Sequence, residues 1–174
     1  MDITMRKAAC ADLDALADLY RAVSQEVSGT DNDPIWEVGV YPTMEELARF
    51  IDEGAFYIAE VEGRMAGALV ATHGSEDGYE DVAWRSDIPL EDSVIIHLFG
   101  MHPDFKGQGL ARPIMEWVAY DLRATGERVL RLDVIAENVG AQRVYERLGF
   151  AQCGGAWLEY PDYQGEFVFF EKEL

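Results

Sequence analysis

The stretch from Val94 to Gly149 constrains this chain more than any other. It opens with an apolar run, Val94 to Met101, that reads as a strand. His102-Pro103-Asp104 turns the chain, and two glycines, Gly107 and Gly109, follow. Apolar residues at Leu110, Ile114, Trp117, Val118 and Leu122 then recur at helical spacing, so a helix is expected from about Gly109 to Thr125. Pro113 is tolerated only near a first turn, which keeps the helix start close to Gly109. Gly126 ends the helix. Val129 to Ala136 reads as a second strand, and Asn138 is positioned to cap a short helix that Gly149 ends. The order is therefore strand, glycine turn, helix, strand, helix.

The flanking sequence supplies more elements of both kinds. Ile3 to Ala8 reads as a short strand, and the spacing from Asp12 to Ser28 predicts a helix. Ser28 to Pro34 is loop-like in composition. Trp36 and Tyr41 lie in a segment of no clear type, where they either line a pocket or pack on the core. Thr43 and Glu46 form a capping-box pair that opens a helix running to about Glu53, with Gly54 as its stop. Ala55 to Val61 and Met65 to His73 read as a hairpin across Glu62-Gly63-Arg64. Ser75 to Ser93 is acid-rich, with Glu76, Asp77, Glu80, Asp81, Asp87, Glu91 and Asp92 against Arg85. It is expected to be a loop or a short extra hairpin, either a solvated surface or an acidic lip that draws in a cationic substrate. Phe150 to Cys153 and Glu166 to Glu171 read as closing strands. Gly154 to Gly165, with Pro161, is expected to be a turn or loop. No repeat or linker interrupts the pattern, so residues 1–174 are expected to form one domain.

Charge narrows the partners. The net charge is −19, which argues against nucleic acid, since phosphate backbones need a basic footprint. From His102 to Arg147 seven basic residues balance seven acidic ones; the other seven basic and 26 acidic residues carry the whole excess. A neutral island in an acidic chain is where an anionic ligand is tolerated. No apolar run is long enough to span a membrane, and the N-terminal residues lack a signal-peptide core. Cys10 and Cys153 have no metal or redox spacing, so the expectation is a cytoplasmic protein with reduced thiols and no metal site.

Gly107 and Gly109 stand before a helix start, where N–H groups are unpaired and the helix dipole is positive. Glycines allow phosphate oxygens to approach closely, and Lys106 adds a positive charge with Arg112 one turn on. The Walker A pattern is absent. A dinucleotide fingerprint fits poorly: Arg112 holds the third glycine position and His102 to Lys106 separate strand from glycine. The sequence Lys106-Gly107-Gln108-Gly109-Leu110-Ala111 resembles the Gln/Arg-x-x-Gly-x-Gly/Ala signature of the GNAT superfamily of N-acetyltransferases, with Lys106 keeping the charge of the first position. Phe99-Gly100-Met101-His102-Pro103 is similar to the strand exit that precedes it in that family. Asn138, Ala141, Tyr145, Gly149 and Phe150 match its second signature.

The resemblance implies an α/β (α+β) fold: a mixed, mostly antiparallel sheet of about six to seven strands, helices on both faces and a splayed central strand pair. It implies acetyl-CoA as co-substrate. The pantetheine arm would lie in the splay against Phe99, Gly100 and Met101, and the pyrophosphate on Lys106, Gly107, Gln108, Gly109, Leu110 and Ala111. It places Asn138 at a cofactor contact and Tyr145 at the general-acid position. The implied reaction is acetyl transfer to a primary amine, a small cation or a protein lysine or N-terminus, by direct attack in a ternary complex. A non-catalytic acyl-CoA sensor or protein-interaction module is the alternative. An alkylammonium with a pKa of about 10.4 must lose a proton before it attacks. The base is not readable: His97 lies on the strand beside the cleft, His102, Asp133 and Glu137 are further candidates, and relay through water needs none of them. The acceptor, the acyl chain length and the oligomeric state, a homodimer included, are left open by the sequence.

Overall fold

The computed structural model describes residues 2–76, 78–160 and 163–174. In chain order the elements are β1 (Ile3–Lys7), α1 (Leu13–Val27), α2 (Met44–Asp52), β2 (Phe56–Val61), β3 (Arg64–His73), β4 (Val94–Met101), α3 (Ala111–Ala124), β5 (Val129–Ile135), α4 (Val139–Arg147), β6 (Ala151–Glu159) and β7 (Gln164–Glu173). The seven strands form one sheet in the order β1-β2-β3-β4-β5-β7-β6. Only β4 and β5 run parallel; every other neighbour is antiparallel. This is the mixed, mostly antiparallel sheet expected.

Local chemistry sets the helix starts. Thr43 Oγ1 accepts from the Glu46 N–H at 3.1 Å, while Glu46 Oε2 accepts from the Thr43 N–H at 2.8 Å, which closes the capping box of α2. Asn138 Oδ1 accepts from the Ala141 N–H at 3.0 Å and caps α4. The helices cover both faces of the sheet. On one, α1 and α2 bring Leu16, Tyr20, Leu47 and Phe50 against Phe56, Ile58 and Val70. On the other, α3 brings Ile114, Met115 and Val118 against Tyr57, Leu69, Leu130 and Leu132. Among the described residues no helix is long and apolar enough to cross a membrane.

One segment differs from expectation. β6 does not stop at Cys153 but continues to Glu159, paired with β7. Gly154 and Gly155 read as a turn, yet the register shifts between Gln152 and Gly154 and Gly154 takes φ 125°, so this glycine serves a bulge inside a strand. Pro161, assigned to the same turn, lies outside the described residues. Of the two readings of the acid-rich segment from Ser75 to Ser93, loop or short hairpin, its described residues take the loop. It carries two 3-10 turns, Tyr79–Asp81 and Leu90–Asp92, and alternates Val82, Trp84, Ser86, Ile88 and Leu90 inward with exposed residues between. Asp77 lies outside the described residues.

A buried ion pair holds that segment. The Arg131 side chain on β5 is fully buried and donates from Nε to Glu171 Oε2 on β7 at 2.8 Å. Arg131 also donates to the Ile88 carbonyl at 2.8 Å, and its guanidinium lies 4.6 Å from the centre of the Trp84 ring. Glu171 Oε1 accepts from the N–H groups of Arg85 and Ser86 at 3.0 and 2.8 Å. Such a pair is costly to desolvate, and removing one partner strands the other charge. Arg131→Ala is therefore expected to lower unfolding stability by about 3–5 kcal/mol in urea titration and to open residues 78–92 to limited proteolysis.

Candidate active site

The site begins where β4 and β5 part. Their pairing is confined to Val94 with Leu130 and Ile95 with Arg131. Beyond Ile95, β4 has no strand on its β5 side, and the remaining edge looks into a cavity of about 840 Å³. A bulge in β4 sets the divergence. Val70 of β3 pairs with His97 and Ala68 with Gly100, so Leu69 faces two β4 residues, Leu98 and Phe99. Leu98 takes φ 52°, a left-handed conformation that costs an ordinary residue about 1–2 kcal/mol. Tyr20 of α1 donates its hydroxyl to the Leu98 carbonyl at 2.7 Å and holds the bulge in place.

Six of the sequence-chosen residues line this cavity: Phe99, Gly100, Met101, Lys106, Asn138 and Tyr145. The ring of Tyr145 lies among Phe99, Phe150 and Phe170, at centroid distances of 6.4, 5.5 and 6.3 Å. Its hydroxyl has no hydrogen-bond partner among the described residues. Burial, and next the charge of Asp133, push its pKa above the ordinary tyrosine value, so it is a protonated phenol at neutral pH. Asn138 uses Oδ1 for its cap, while its amide donates to no described residue and lies at the cavity wall.

Gly107, Gln108, Gly109, Leu110 and Ala111 lie beside the cavity rather than in its wall. α3 begins at Ala111, two residues later than expected. Gly107 and Gly109 take φ 76° and 78°, and space is open where a Cβ would stand on either. Among the described residues the N–H groups from Gly107 to Ala111 donate to no acceptor, which leaves five free donors at a helix start. Leu110 is buried and presents only its backbone there. Lys106 Nζ reaches Glu26 Oε1 of α1 at 3.7 Å, across the mouth of the cavity. Arg112 adds nothing to this cradle, since it donates to the Arg147 carbonyl and pairs with Glu116.

The base candidates separate. His97 lines the cavity, lies 2.9 Å from Thr72 Oγ1 and stacks on Phe50. Burial, with Arg49 nearby, lowers its pKa to about 4. Asp133 also lines the cavity, and its Oδ1 accepts from the Tyr79 hydroxyl at 2.7 Å. Burial raises its pKa, against the opposing effect of that hydrogen bond. His102 and Glu137 are not in the wall. Trp36 and Tyr41 do line the cavity, whereas Tyr79 is fully buried behind Asp133. Among the described residues of the acidic segment only Glu76 reaches the wall, where it lies 3.5 Å from His97.

Sequence reasoning missed the cavity-lining Glu26, Glu46, Arg49, Tyr160 and Tyr163. They come from three distant parts of the chain, α1, α2 and the junction of β6 with β7, and only the Thr43 capping box pointed to one of them, as a helix cap. Among the described residues no three His, Cys, Asp or Glu side chains converge as a metal site.

The sequence profile of the acetyltransferase (GNAT) family matches residues 14–150. An uncharacterized N-acetyltransferase of Methanocaldococcus jannaschii is 31% identical over 101 residues, 58% of this chain but only 41% of its own length. A GNAT-family acetyltransferase of Streptococcus agalactiae superposes with a TM-score of 0.83 at 20% identity, covering 99% of this chain and 95% of the other. A Salmonella typhimurium protein described as an acetyltransferase and solved with its cofactor acetyl-CoA gives a TM-score of 0.66 at 17% identity, with 99% and 94% covered. These likenesses show that the fold is shared.

The dry setting of His97 has a direct readout. In a proton NMR titration its imidazole should stay neutral until about pH 4, and a titration near the ordinary value of about 6.5 would mean that water reaches the ring. The depressed pKa makes its contribution to stability full above about pH 6.5 and lost as pH falls towards 4.

Proposed function

The chain belongs to the acetyltransferase (GNAT) family, and from that premise we propose that it transfers an acetyl group from acetyl-CoA to a primary amine. The observation that carries this reading is the unpartnered Tyr145 hydroxyl in a cavity that opens onto the unpaired edge of β4. A phenol placed there has no structural bond to make and is available to a reacting group.

The chain's free groups fit the proposed co-substrate. Five unpaired N–H groups from Gly107 to Ala111, with Lys106 beside them, suit a pyrophosphate. The open edge of β4 past Ile95 suits the amides of a pantetheine arm, which would bond to backbone at Phe99 and Met101, on either side of Gly100. The Asn138 amide supplies a further donor from the α4 side. When bound, acetyl-CoA supplies an activated acyl carbon and a thiolate leaving group.

The protein's own groups then have three tasks. Backbone N–H groups of β4 polarise the acyl oxygen and stabilise charge that develops on it. Phe99 in the cavity wall, with Phe150 and Phe170 packed against the Tyr145 ring, keeps water from that side of the cavity and so strengthens those dipoles. Tyr145 holds its proton at neutral pH and gives it to the departing sulfur, whose own proton affinity rises in the same dry setting. Catalysis is then mostly positioning, which agrees with the absence of any nucleophilic cysteine from the cavity wall: Cys10 is exposed, and Cys153 is not part of the wall.

Purified protein, acetyl-CoA and a panel of primary amines should release free thiol in a coupled colour assay; no release with any amine would overturn the transfer reading. Tyr145→Phe should lower kcat about 100-fold at pH 7, while the CoA dissociation constant, measured by calorimetry, changes less than about threefold. Lys106→Ala should do the reverse, weakening CoA binding several-fold with a milder effect at high salt and leaving kcat near its original value.

A further inference from the structure

The chain's ion pairs leave one charge deep in the protein unbalanced. Asp133 lies on β5 two residues past Arg131, which makes the last β4–β5 pairing, and His97 lies two residues past Ile95 on β4. The two side chains therefore flank the apex where the strands part. Both reach the same cavity wall, with Tyr145 on α4 near enough to feel the charge of Asp133. Among the described residues no cationic side chain pairs with Asp133. Arg131, on the same face of β5, is committed to Glu171. The Tyr79 hydroxyl, delivered by the clamped segment 78–92, is the one side-chain donor to Asp133.

A carboxylate removed from water is costly unless a cation or several donors accompany it. One hydroxyl and one backbone N–H are modest compensation, so a cation entering from the cavity would complete the site. The surroundings restrict that cation. Trp36, Tyr41, Tyr160 and Tyr163 add aromatic rings to the wall, and Glu26, Glu46 and Glu76 add acidic groups, with Arg49 and Lys106 the opposing charges. A slender alkylammonium flanked by apolar or further cationic groups fits this wall.

We infer that Asp133, oriented by Tyr79, is the anchor and proton acceptor for the ammonium of a cationic primary amine. The assignment rests on the transfer reading above for its chemistry, but the ammonium site stands on geometry alone. The steps balance as follows. The ammonium gives one proton to the Asp133 carboxylate and becomes a neutral amine. Its nitrogen lone pair bonds to the acetyl carbon, and the carbon–sulfur bond breaks with its electrons staying on sulfur. Tyr145 protonates that sulfur and is restored by the second proton shed from nitrogen. Asp133 later releases its proton to solvent, so each turnover yields amide, CoA thiol and one proton. His97, held by Thr72 and protonated only near pH 4, is a wall residue rather than the base.

The groups that bear on Asp133 are Tyr79 from the clamped segment, Tyr145 from α4, His97 from β4, Glu76 from the loop after β3, Tyr160 just past β6 and Tyr163 just before β7. The experiment uses full-length protein saturated with CoA and follows the Asp133 carboxyl by carbon-13 NMR. Addition of spermidine or lysine amide should move its titration to lower pH, and their fully N-acetylated forms, which carry no ammonium, should not. In turnover, Asp133→Asn should lower kcat/KM at least about 100-fold with CoA binding unchanged. Tyr79→Phe removes a hydrogen bond that favours the carboxylate, so the acidic limb of kcat/KM should move to higher pH with activity recovered above it. A carboxyl signal that no amine moves, or Asp133→Asn within about twofold of the unaltered enzyme, overturns the assignment. Amines that shift the Asp133 signal without thiol release would refute the transfer reading and leave the ammonium site standing.

Discussion

Two adjacent parallel strands that share only two residue pairs hold the whole molecule in an unusual state. A sheet gains by keeping its N–H and C=O groups paired, and an unpaired interior edge must find other partners. Here the edge exists because Leu98 bulges out of β4 and Tyr20 grips its carbonyl. The antiparallel partners on either side keep the gap from closing: β7 pairs with β5 along its length, and β3 stays paired with β4 on both sides of the bulge. Everything distinctive about the cavity follows from that gap. α4 crosses beside it with Tyr145, the glycine turn lies at one end, and the carboxyl of Asp133 lies at the apex.

The half of the site that faces the glycine turn was legible in the sequence because it is local. Lys106 to Ala111 is one turn, and Asn138 to Tyr145 is one short helix, so residue spacing alone fixes what stands beside what. The helix caps at Thr43 and Asn138 were readable for the same reason. Gly154 shows where local reading fails: a glycine with positive φ serves a turn and a strand bulge equally well, and only the partner strand decides. Arg112 shows a second limit. Its spacing put it near the turn, but the carbonyl of Arg147, 35 residues away, claimed it.

The opposite half was not legible because its members meet only in three dimensions. Tyr79 and Asp133 are 54 residues apart, and neither belongs to a motif. An excess of acid near Tyr79 suggested attraction at the surface, whereas most of those carboxylates point to solvent, and the segment's role is to bring one phenol to one carboxyl. Net charge describes the far field of a protein and says little about which charge is stripped of water. That distinction rests on burial, which a composition cannot express.

The Arg131–Glu171 clamp also divides residues 78–92 into two populations under different demands. Inward positions such as Trp84 and Ile88 are tied to the buried charge, while the intervening outward positions touch little but water. Substitution could restyle the outward row, changing how the protein approaches bulky or charged molecules, without disturbing the phenol held at position 79. A segment that resembles an unstructured acidic loop is thus a template in which surface character and internal placement can drift independently over generations.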